Sequence, residues 1–190
     1  MKIIGFCGPS GAGKDTAASC LIVRGWTRLA FADPLREMLI ALNPIIDDDG
    51  YTRLSDVVKK EGWDRAKQRE EVRRLLRRLG TQAGRHILGQ DVWVRLLQET
   101  INKIYNKFDG YDRFVITDVR FENEARMILQ AGGKILEICR GSVTYSKAHE
   151  SEYCLPELYI SAAIGNHGTK NELWDKVILA AGETGKEIAE

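Results

Sequence analysis

The chain has 190 residues, of which 44% are hydrophobic and 29% are charged, and its formal net charge is +1. This length and composition predict one domain with a full hydrophobic core and exclude a disordered, collagen-like or membrane-spanning chain. The near-zero net charge excludes a global field that would attract nucleic acid or an anionic membrane.

The first part of the chain alternates between strand and helix patterns. The predicted elements are a strand over Lys2–Cys7, a helix over 14–24, a strand over 26–31 and a helix over 34–42. Asp33 is predicted to be the N-cap of this last helix, with Pro34 at its first position and Asn43 at its end. A polar loop over 45–53 follows, and helical sequence then dominates up to residue 108.

The second part of the chain returns to the alternation. The predicted elements are a strand over 114–117, a helix over 123–131, a strand over 134–139, an aperiodic excursion over 140–156, a short strand over 162–164 and a helix over 169–180. Asn123 is the expected N-cap of the first of these helices, and Thr169 with Glu172 predicts a capping box for the last. Apolar strands alternating with helices predict an α/β fold with a parallel sheet covered on both faces.

The cysteines indicate a reducing compartment. Cys7, Cys20, Cys139 and Cys154 show no C-x-x-C spacing, and Cys7 and Cys139 lie in apolar runs typical of buried strands. Free core thiols therefore fit better than a disulfide framework. Because the N-terminal apolar run is too short for a signal peptide and no run approaches about 18 apolar residues, we expect a cytoplasmic protein.

A glycine-rich loop (residues 8–14) follows the first strand and opens a helix, in the pattern G-x-x-x-x-G-K. Glycine lets backbone N–H groups turn inward around a phosphate, and the helix N-terminus adds further donors. Lys14 can reach the β- and γ-phosphates as a point charge. We therefore assign the phosphates of ATP to Gly11, Ala12, Gly13, Lys14, Asp15 and Thr16.

Two carboxylates are candidates for holding Mg²⁺. Asp15 stands where many phosphate-loop enzymes place a magnesium-binding Ser or Thr, and Thr16 follows it. Asp15 either holds the ion, directly or through water, or serves only as a partner of the helix dipole. Asp118 follows an apolar strand and so faces the crevice at the carboxyl ends of the strands, where it could bind Mg²⁺ or orient a nucleophile. The sequence thus predicts Mg²⁺ near Asp15, Thr16 and Asp118.

Four motifs together resemble the phage-type deoxynucleoside monophosphate kinases. They are Gly-Pro-Ser-Gly-Ala-Gly-Lys-Asp-Thr at 8–16, Phe-Ala-Asp-Pro-Leu-Arg at 31–36, Leu-Gly-Thr-Gln-x-x-Arg at 79–85 and Thr-Asp-Val-Arg-Phe-Glu-Asn-Glu at 117–124. The resemblance runs in order across most of the chain and thins over 45–65 and 153–162. It implies transfer of the γ-phosphoryl group of ATP to a deoxynucleoside monophosphate (dNMP), giving a dNDP and ADP.

The same resemblance implies a P-loop kinase fold, a three-layer α/β/α arrangement with a parallel sheet, a helical monophosphate-binding insertion and a lid. The whole chain, 1–190, would form one domain. Its core would comprise about 1–35, 112–140 and 158–190, its insertion about 36–111 and its lid about 141–157. The resemblance also allows a homodimer, and it implies the host cytoplasm if a phage encodes the chain.

Residue roles also follow from the resemblance, supported by the need for arginines to neutralise two converging phosphate chains. The catalytic residues would be Lys14, Asp118, Arg120 and Arg140, with Arg140 on the lid side. The acceptor nucleotide would be bound by Asp33, Arg36, Arg85, Trp93, Arg120 and His149, although a core position in the insertion is the favoured interpretation of Trp93. Asn166 would belong to a loop on the adenine side of the ATP site.

Two other functions stay open. A related kinase of a small molecule, such as dephospho-coenzyme A, would share the glycine-rich loop. A nucleic-acid-associated ATPase would use residues 65–78, which carry seven basic and two acidic side chains. Because the apolar side chains of this segment commit one face to a core and no aromatic residues interleave with the basic ones, a solvated helix face is favoured. The expected partners are small molecules, without nucleic acid or membrane.

Overall fold

The computed structural model describes residues 1–47, 50–108, 111–141 and 155–183. The strands are β1 (Lys2–Cys7), β2 (Thr27–Leu29), β3 (Arg113–Ile116), β4 (Lys134–Cys139) and β5 (Ala162–Gly165). The helices are α1 (Lys14–Ile22), α2 (Asp33–Leu42), α3 (Leu54–Ala66), α4 (Glu70–Arg77), α5 (Val92–Lys107), α6 (Glu122–Gln130) and α7 (Lys170–Ala181). Arg78–Leu88 is π-helical, and Glu157–Tyr159 forms one turn of 3₁₀-helix.

The chain divides into two compact units. The first unit comprises Met1–Ala30 and Leu97–Glu190, and the second comprises Phe31–Leu96. The sheet, α1, α6 and α7 belong to the first unit, whereas α2, α3, α4 and the π-helical segment belong to the second. The single domain with a core, an insertion and a lid at the boundaries given above stays a prediction, and residues 142–154 of that lid lie outside the described residues.

The first unit is built on a five-stranded sheet in which all the strands are parallel. Its strand order is β2-β3-β1-β4-β5. β1 lies in the centre, where Ile4 pairs with Val115 of β3 and with Lys134 of β4. Every residue of β1 after Lys2 is buried, as expected for a central parallel strand that is covered on both faces.

Helices cover both faces of this sheet. Phe6 of β1 packs with Leu21 of α1 and Leu173 of α7. Gly5 faces the other way, because successive residues of a strand point to opposite faces, and a Cβ atom there would lie 2.7 Å from Ile128 of α6. The fold is therefore a three-layer α/β/α arrangement with a parallel sheet, which confirms the predicted fold class.

The connections of the two neighbouring strands β1 and β3 leave on opposite faces of the sheet, β1 into α1 and β3 into α6. In open α/β sheets such a reversal opens a crevice at the carboxyl ends of the strands, and ligands bind there. The glycine-rich loop follows β1, and Asp118 follows β3. The topology thus positions the glycine-rich loop and Asp118 at the same end of the sheet, where the carboxyl ends of its strands lie.

The second unit has an apolar core of its own. Its buried members are Leu39, Ile46, Leu54, Val57, Ala66 and Val72. Arg69, the N-cap of α4, donates to Asp47 Oδ2 at 2.7 Å and to Glu61 Oε1 at 3.3 Å. These ion pairs link the start of α4 to α3 and to the loop that precedes α3.

Two predicted helix caps are wrong. Ala32, not Asp33, is the N-cap of α2, because the backbone of Ala32 is already helical, and the Asp33 carboxylate accepts from Arg36 Nη1 at 3.4 Å instead. Phe121, not Asn123, is the N-cap of α6. The buried carboxylate of Glu124 satisfies the N–H of Phe121 at 3.1 Å and so takes over the capping.

Other element predictions agree more closely with the structure. The capping box of Thr169 and Glu172 at the start of α7 is confirmed. β2 covers only Thr27–Leu29, shorter than the predicted strand over 26–31. Cys7, Cys20 and Cys139 are free thiols, as predicted, whereas Cys154 lies outside the described residues. In the described part of the chain, no helix has the length and apolar character needed to cross a membrane.

Candidate active site

The glycine-rich loop reverses the chain between β1 and α1 through glycines with left-handed backbone angles. The φ angles of Gly8, Gly11 and Gly13 are 128°, 81° and 100°, which favour glycine strongly. At Gly8 a side chain would also collide with the carbonyl oxygen of Ile138 in β4. The loop therefore packs close to the sheet and can take its shape only with glycine at these positions.

Lys14, the first residue of α1, bridges the glycine-rich loop from within. Its Nζ atom donates to the carbonyl oxygens of Gly8 at 2.8 Å and of Pro9 at 2.9 Å. A bound anion would compete for the same ammonium group, since charged acceptors form stronger hydrogen bonds than carbonyls. The ammonium group is thus held at the mouth of the loop, within reach of a phosphate chain.

The electrostatics of Lys14 identify its charged neighbours. Burial lowers the pKa of Lys14, and the Arg120 guanidinium lowers it further. Asp15, Cys7 and Asp118 oppose this shift. The structure therefore brings three predicted catalytic residues, Lys14, Asp118 and Arg120, into one electrostatic cluster with Asp15.

The turn that carries Arg120 is fixed by hydrogen bonds on two sides. The Val119 N–H donates to the carbonyl of Phe6 in β1 at 3.1 Å, and the Arg120 N–H donates to Glu124 Oε2 at 2.8 Å. The Glu124 side chain is buried, whereas Arg120 is exposed. Sequence reasoning missed the role of Glu124, although a glutamate at the third helical position is the signal of a capping box.

A cavity of about 370 Å³ lies beside the first turn of α1. Thr16, Arg140, Asn166, His167 and Lys170 contribute to its lining. The structure thus brings the predicted residues Arg140 and Asn166 together with the start of α1. The cavity has the polar, cationic lining that suits a phosphorylated ligand.

Asn166 also contacts the glycine-rich loop itself. Its Nδ2 atom donates to the carbonyl oxygen of Ala12 at 2.8 Å, and its backbone N–H donates to Cys139 O at 2.7 Å. No sequence pattern signals this contact, because it joins residues 154 positions apart.

Asp33 and Arg36 lie together in the second unit, on the first turns of α2. Their side chains form an ion pair with 3.4 Å between Arg36 Nη1 and Asp33 Oδ1. The Arg36 guanidinium carbon also lies 5.8 Å from the ring centroid of Trp63, within the range of a cation–π contact. Both side chains are partly exposed, so they remain accessible to a ligand, and their role in acceptor binding stays a prediction.

Arg85 and Trp93 are buried around the π-helical segment. Arg85 Nη1 donates to Gln90 O at 3.0 Å, and Trp93 Nε1 donates to Gly80 O at 2.8 Å. Gly84 packs so tightly on the indole that a Cβ atom would overlap it. With 4% exposure, Trp93 fits the core interpretation, and a substrate contact by Arg85 or Trp93 stays a prediction. His149, the remaining acceptor candidate, lies outside the described residues.

Comparison with known proteins identifies the family. The sequence profile described as deoxynucleotide monophosphate kinase matches residues 61–177, more than half of the chain. The chain belongs to the deoxynucleotide monophosphate kinase family. The family resemblance predicted from the four motifs is thereby confirmed, and the protein is a nucleotide kinase.

Relatives of this kinase occur in viruses of very different hosts. It is 29% identical over 188 residues to a protein of Acanthamoeba polyphaga mimivirus that is provisionally named a deoxynucleotide monophosphate kinase, covering 94% of this chain and 95% of the relative. It is 30% identical over 101 residues to the deoxynucleoside-5'-monophosphate kinase of Escherichia phage T5, covering 50% of this chain and 38% of the phage protein. The deoxynucleotide monophosphate kinase of Enterobacteria phage T4 is 24% identical over 143 residues, with 70% of this chain and 56% of the phage protein covered.

Among solved structures, the kinase aligns with a dephospho-CoA kinase from Campylobacter jejuni. The alignment covers 96% of each chain, with a TM-score of 0.43 and 12% sequence identity.

Proposed function

We propose that this kinase transfers the γ-phosphoryl group of ATP to a deoxynucleoside monophosphate and releases a dNDP and ADP. Family membership supports the reaction class. The observation that carries the proposal is the position of Lys14, Asp118 and Arg120 at the carboxyl ends of the paired strands β1 and β3, which the hydrogen bond from the Val119 N–H to Phe6 O holds together. Two cations and a carboxylate at a phosphate-binding loop suit phosphoryl transfer, whose transition state spreads negative charge over several oxygens.

The residues of the first unit then act by positioning and neutralisation. The N–H groups of Gly11, Gly13, Lys14, Asp15 and Thr16 and the Lys14 ammonium group would bind the ATP phosphates. Ala12 would belong to the same site by shaping the loop, since its own N–H donates to Pro9 O at 3.2 Å. Asn166 and Arg140 would border the donor nucleotide, and Arg120 would neutralise charge between donor and acceptor. No protein nucleophile is needed, because a phosphate monoester with a second pKa of about 6 is already ionised near pH 7.

Mg²⁺ belongs to this proposal, and the donor set fits it. In the described part of the chain, no three or more acidic, histidine or cysteine side chains are grouped in a way that could hold a metal ion. Kinase Mg²⁺ sites do not require such a group, since one or two carboxylates, water and the phosphates complete the octahedron. Asp15 directly follows Lys14, Asp118 follows β3 beside the end of β1, and Thr16 adds a hydroxyl. The bound ion would supply further neutralisation of the transferring group.

The acceptor side of the proposal follows the family resemblance. Asp33, Arg36, Arg85, Trp93, Arg120 and His149 are assigned to the dNMP. The cation–π and ion-pair contacts of Arg36 support a guanidinium held in a fixed orientation, which favours bidentate phosphate binding. The proposal requires only small-molecule partners, allows a homodimer and locates the enzyme in the cytoplasm, that of the host if a phage encodes it.

The decisive experiment measures ADP release and dNDP formation from ATP and Mg²⁺ with a panel of dNMPs and NMPs. Dephospho-coenzyme A and single-stranded DNA form separate arms. We expect strong stimulation by one or more dNMPs with equal amounts of ADP and dNDP. Stimulation by dephospho-coenzyme A or by DNA alone would contradict the proposal.

A matched pair of lysine variants tests the site. Lys14→Met should lower the turnover by at least about 100-fold, because it removes the cation that meets the phosphates. Lys134→Met is the control, since Lys134 begins β4 at the amino ends of the strands, away from the glycine-rich loop, and donates to Ala180 O. Equal turnover of the two variants would contradict the assignment of Lys14.

A further inference from the structure

We propose that Asn166 is a positioning residue of the glycine-rich loop: by holding the Ala12 carbonyl, its side-chain amide directs the Gly13 N–H toward the triphosphate of the donor nucleotide. This inference rests on the proposed function and deepens its ATP site. It differs from the expectation for Asn166 on the adenine side of that site, because it assigns the residue to the phosphates rather than to the base.

Asn166 is held by one hydrogen bond of its backbone and one of its side chain. The backbone N–H of Asn166 donates to Cys139 O at 2.7 Å, which anchors the residue to the end of β4. Its side-chain Nδ2 reaches across to Ala12 O at 2.8 Å. Ala12 is fully buried, so its carbonyl oxygen has little access to water. Without Asn166 this carbonyl would lose a hydrogen bond that solvent can only poorly replace.

The geometry of the peptide bond couples this contact to the ligand. The peptide between Ala12 and Gly13 is trans, so its C=O and N–H groups point in opposite directions. When the carbonyl is turned toward Asn166, the Gly13 N–H is turned away from it. That N–H lies next to Lys14, whose ammonium group spans the loop. The Gly13 N–H and the Lys14 ammonium group would then donate to the same phosphate chain.

Gly13 itself shows how closely the amide approaches. Its φ angle is 100°, and a Cβ atom at this position would overlap Asn166 Nδ2. The close approach explains why this position requires glycine beyond its backbone angle. One N–H of the amide is committed to the loop in this way, and binding measurements decide whether the rest of the side chain also contacts the base.

Inorganic tripolyphosphate separates the two roles of Asn166, because it carries the phosphate chain without sugar or base. A residue that positions the loop affects tripolyphosphate and ATP equally, whereas a residue that contacts the base affects ATP alone. The ratio of ATP to GTP affinity gives a second readout, since only a contact with the base would change it.

The test measures the dissociation constants of ATP, GTP and tripolyphosphate by titration calorimetry with Mg²⁺ present. Asn166→Ala should weaken ATP and tripolyphosphate by the same factor, about 10-fold for the loss of one hydrogen bond that aligns the loop. Asn166→Asp should weaken both further, because a carboxylate cannot donate and faces a carbonyl oxygen. The ratio of ATP to GTP affinity should stay unchanged in both variants.

Lys176→Met provides the matched control. Lys176 Nζ donates to Gly165 O at 3.1 Å, a side-chain-to-backbone bond at the same β5–α7 connection that does not involve the loop. This variant should retain both affinities. Calorimetry reports the affinity of the folded fraction separately from its amount, so a partly unfolded variant does not mimic the expected result.

Two results would overturn the inference while leaving the ATP site in place. One is a loss of ATP affinity in Asn166→Ala with tripolyphosphate binding intact, and the other is no change in either affinity. If the unaltered protein bound neither ATP nor tripolyphosphate, the result would contradict both the proposed ATP site and this inference.

Discussion

Lys14 holds a positive charge in surroundings that disfavour it. Burial and the neighbouring Arg120 guanidinium lower its pKa below the ordinary value of 10.5, and Asp15 and Asp118 only partly offset this. A triphosphate bound in the loop adds negative charge beside the ammonium group and raises its pKa again. The protonated lysine and the bound phosphate therefore stabilise each other.

This coupling predicts proton uptake when ATP binds. At a pH between the lowered pKa of free Lys14 and its raised pKa in the complex, binding should take up a proton, and affinity should fall as the pH rises through the lower value. Calorimetry at alkaline pH in buffers of different ionisation enthalpy measures the uptake. Lys14→Met should abolish it and Lys134→Met should not; a heat independent of the buffer would contradict the prediction.

The buried thiols should be chemically inert. Burial is the main cause that raises the pKa of Cys7 to about 12 and of Cys20 to about 11. Since the thiolate is the reactive form, iodoacetamide at pH 8 should leave both residues unlabelled in the folded protein. Labelling in urea, followed by mass spectrometry of the peptides, provides the control. Rapid labelling of either residue in the folded protein would be inconsistent with its environment in the core.

Among the elements, the start of α6 shows how a motif can be found while its mechanics are missed. The sequence indicated Asn123 as the N-cap because short polar side chains favour that position. The structure uses Glu124 instead, whose single oxygen Oε2 accepts the N–H groups of Arg120 and Phe121. Whether a glutamate folds back over the preceding turn depends on its burial, which the local sequence does not reveal.

Removing this carboxylate should weaken the fold. Glu124 is only 3% exposed, so water can replace its carboxylate only poorly. Glu124→Ala leaves the N–H groups of Arg120 and Phe121 without their acceptor, at a cost of about 1–3 kcal/mol in the free energy of unfolding. Glu124→Gln should retain most of the stability, because an amide oxygen can accept both bonds. Urea unfolding measures the difference, and an Ala variant as stable as the Gln variant would refute the capping role.

The π-helical segment is the element that sequence periodicity did not resolve. Helical sequence was predicted there, but the spacing of apolar residues does not separate a π-helix from an α-helix over 11 residues. Its wider turns bring Gly84 against the indole of Trp93 and Gly80 O within 2.8 Å of Trp93 Nε1. These tertiary contacts, not the local sequence, fix the segment.

A double-mutant cycle tests that packing. Gly84→Ala should destabilise the protein by about 1–3 kcal/mol, because the new methyl group overlaps the six-membered ring of Trp93. In the background of Trp93→Phe, which lacks the outer ring atoms, the same substitution should cost less. Urea unfolding of the four proteins gives the coupling energy. Additive effects of the two substitutions would show that the residues do not constrain each other.

For the whole molecule, the alternation of apolar strands with helices was enough to predict a parallel sheet with the glycine-rich loop and Asp118 at one edge. The strand order and the contact between Asn166 and Ala12 needed the structure, because both join distant parts of the chain. The structure was also needed to interpret the basic segment 65–78. Four of its side chains bond to acceptors within the protein, namely Lys67, Arg69, Arg74 and Arg78. This pairing favours the solvated helix face over a nucleic-acid surface.

The two substrates should protect different parts of the molecule from hydrogen exchange. The residues assigned to ATP lie in the first unit, whereas Asp33, Arg36 and Arg85, assigned to the dNMP, lie in the second. Bound ligand raises the free energy of opening for the backbone it stabilises. A non-hydrolysable ATP analogue alone should therefore slow exchange over 8–16 and 165–168, and a dNMP alone should slow it over 33–42 and 78–88. Lys14→Met should lose the first protection and keep the second. If a dNMP protected residues 8–16 and left 78–88 unchanged, the acceptor assignment of Arg85 would be wrong.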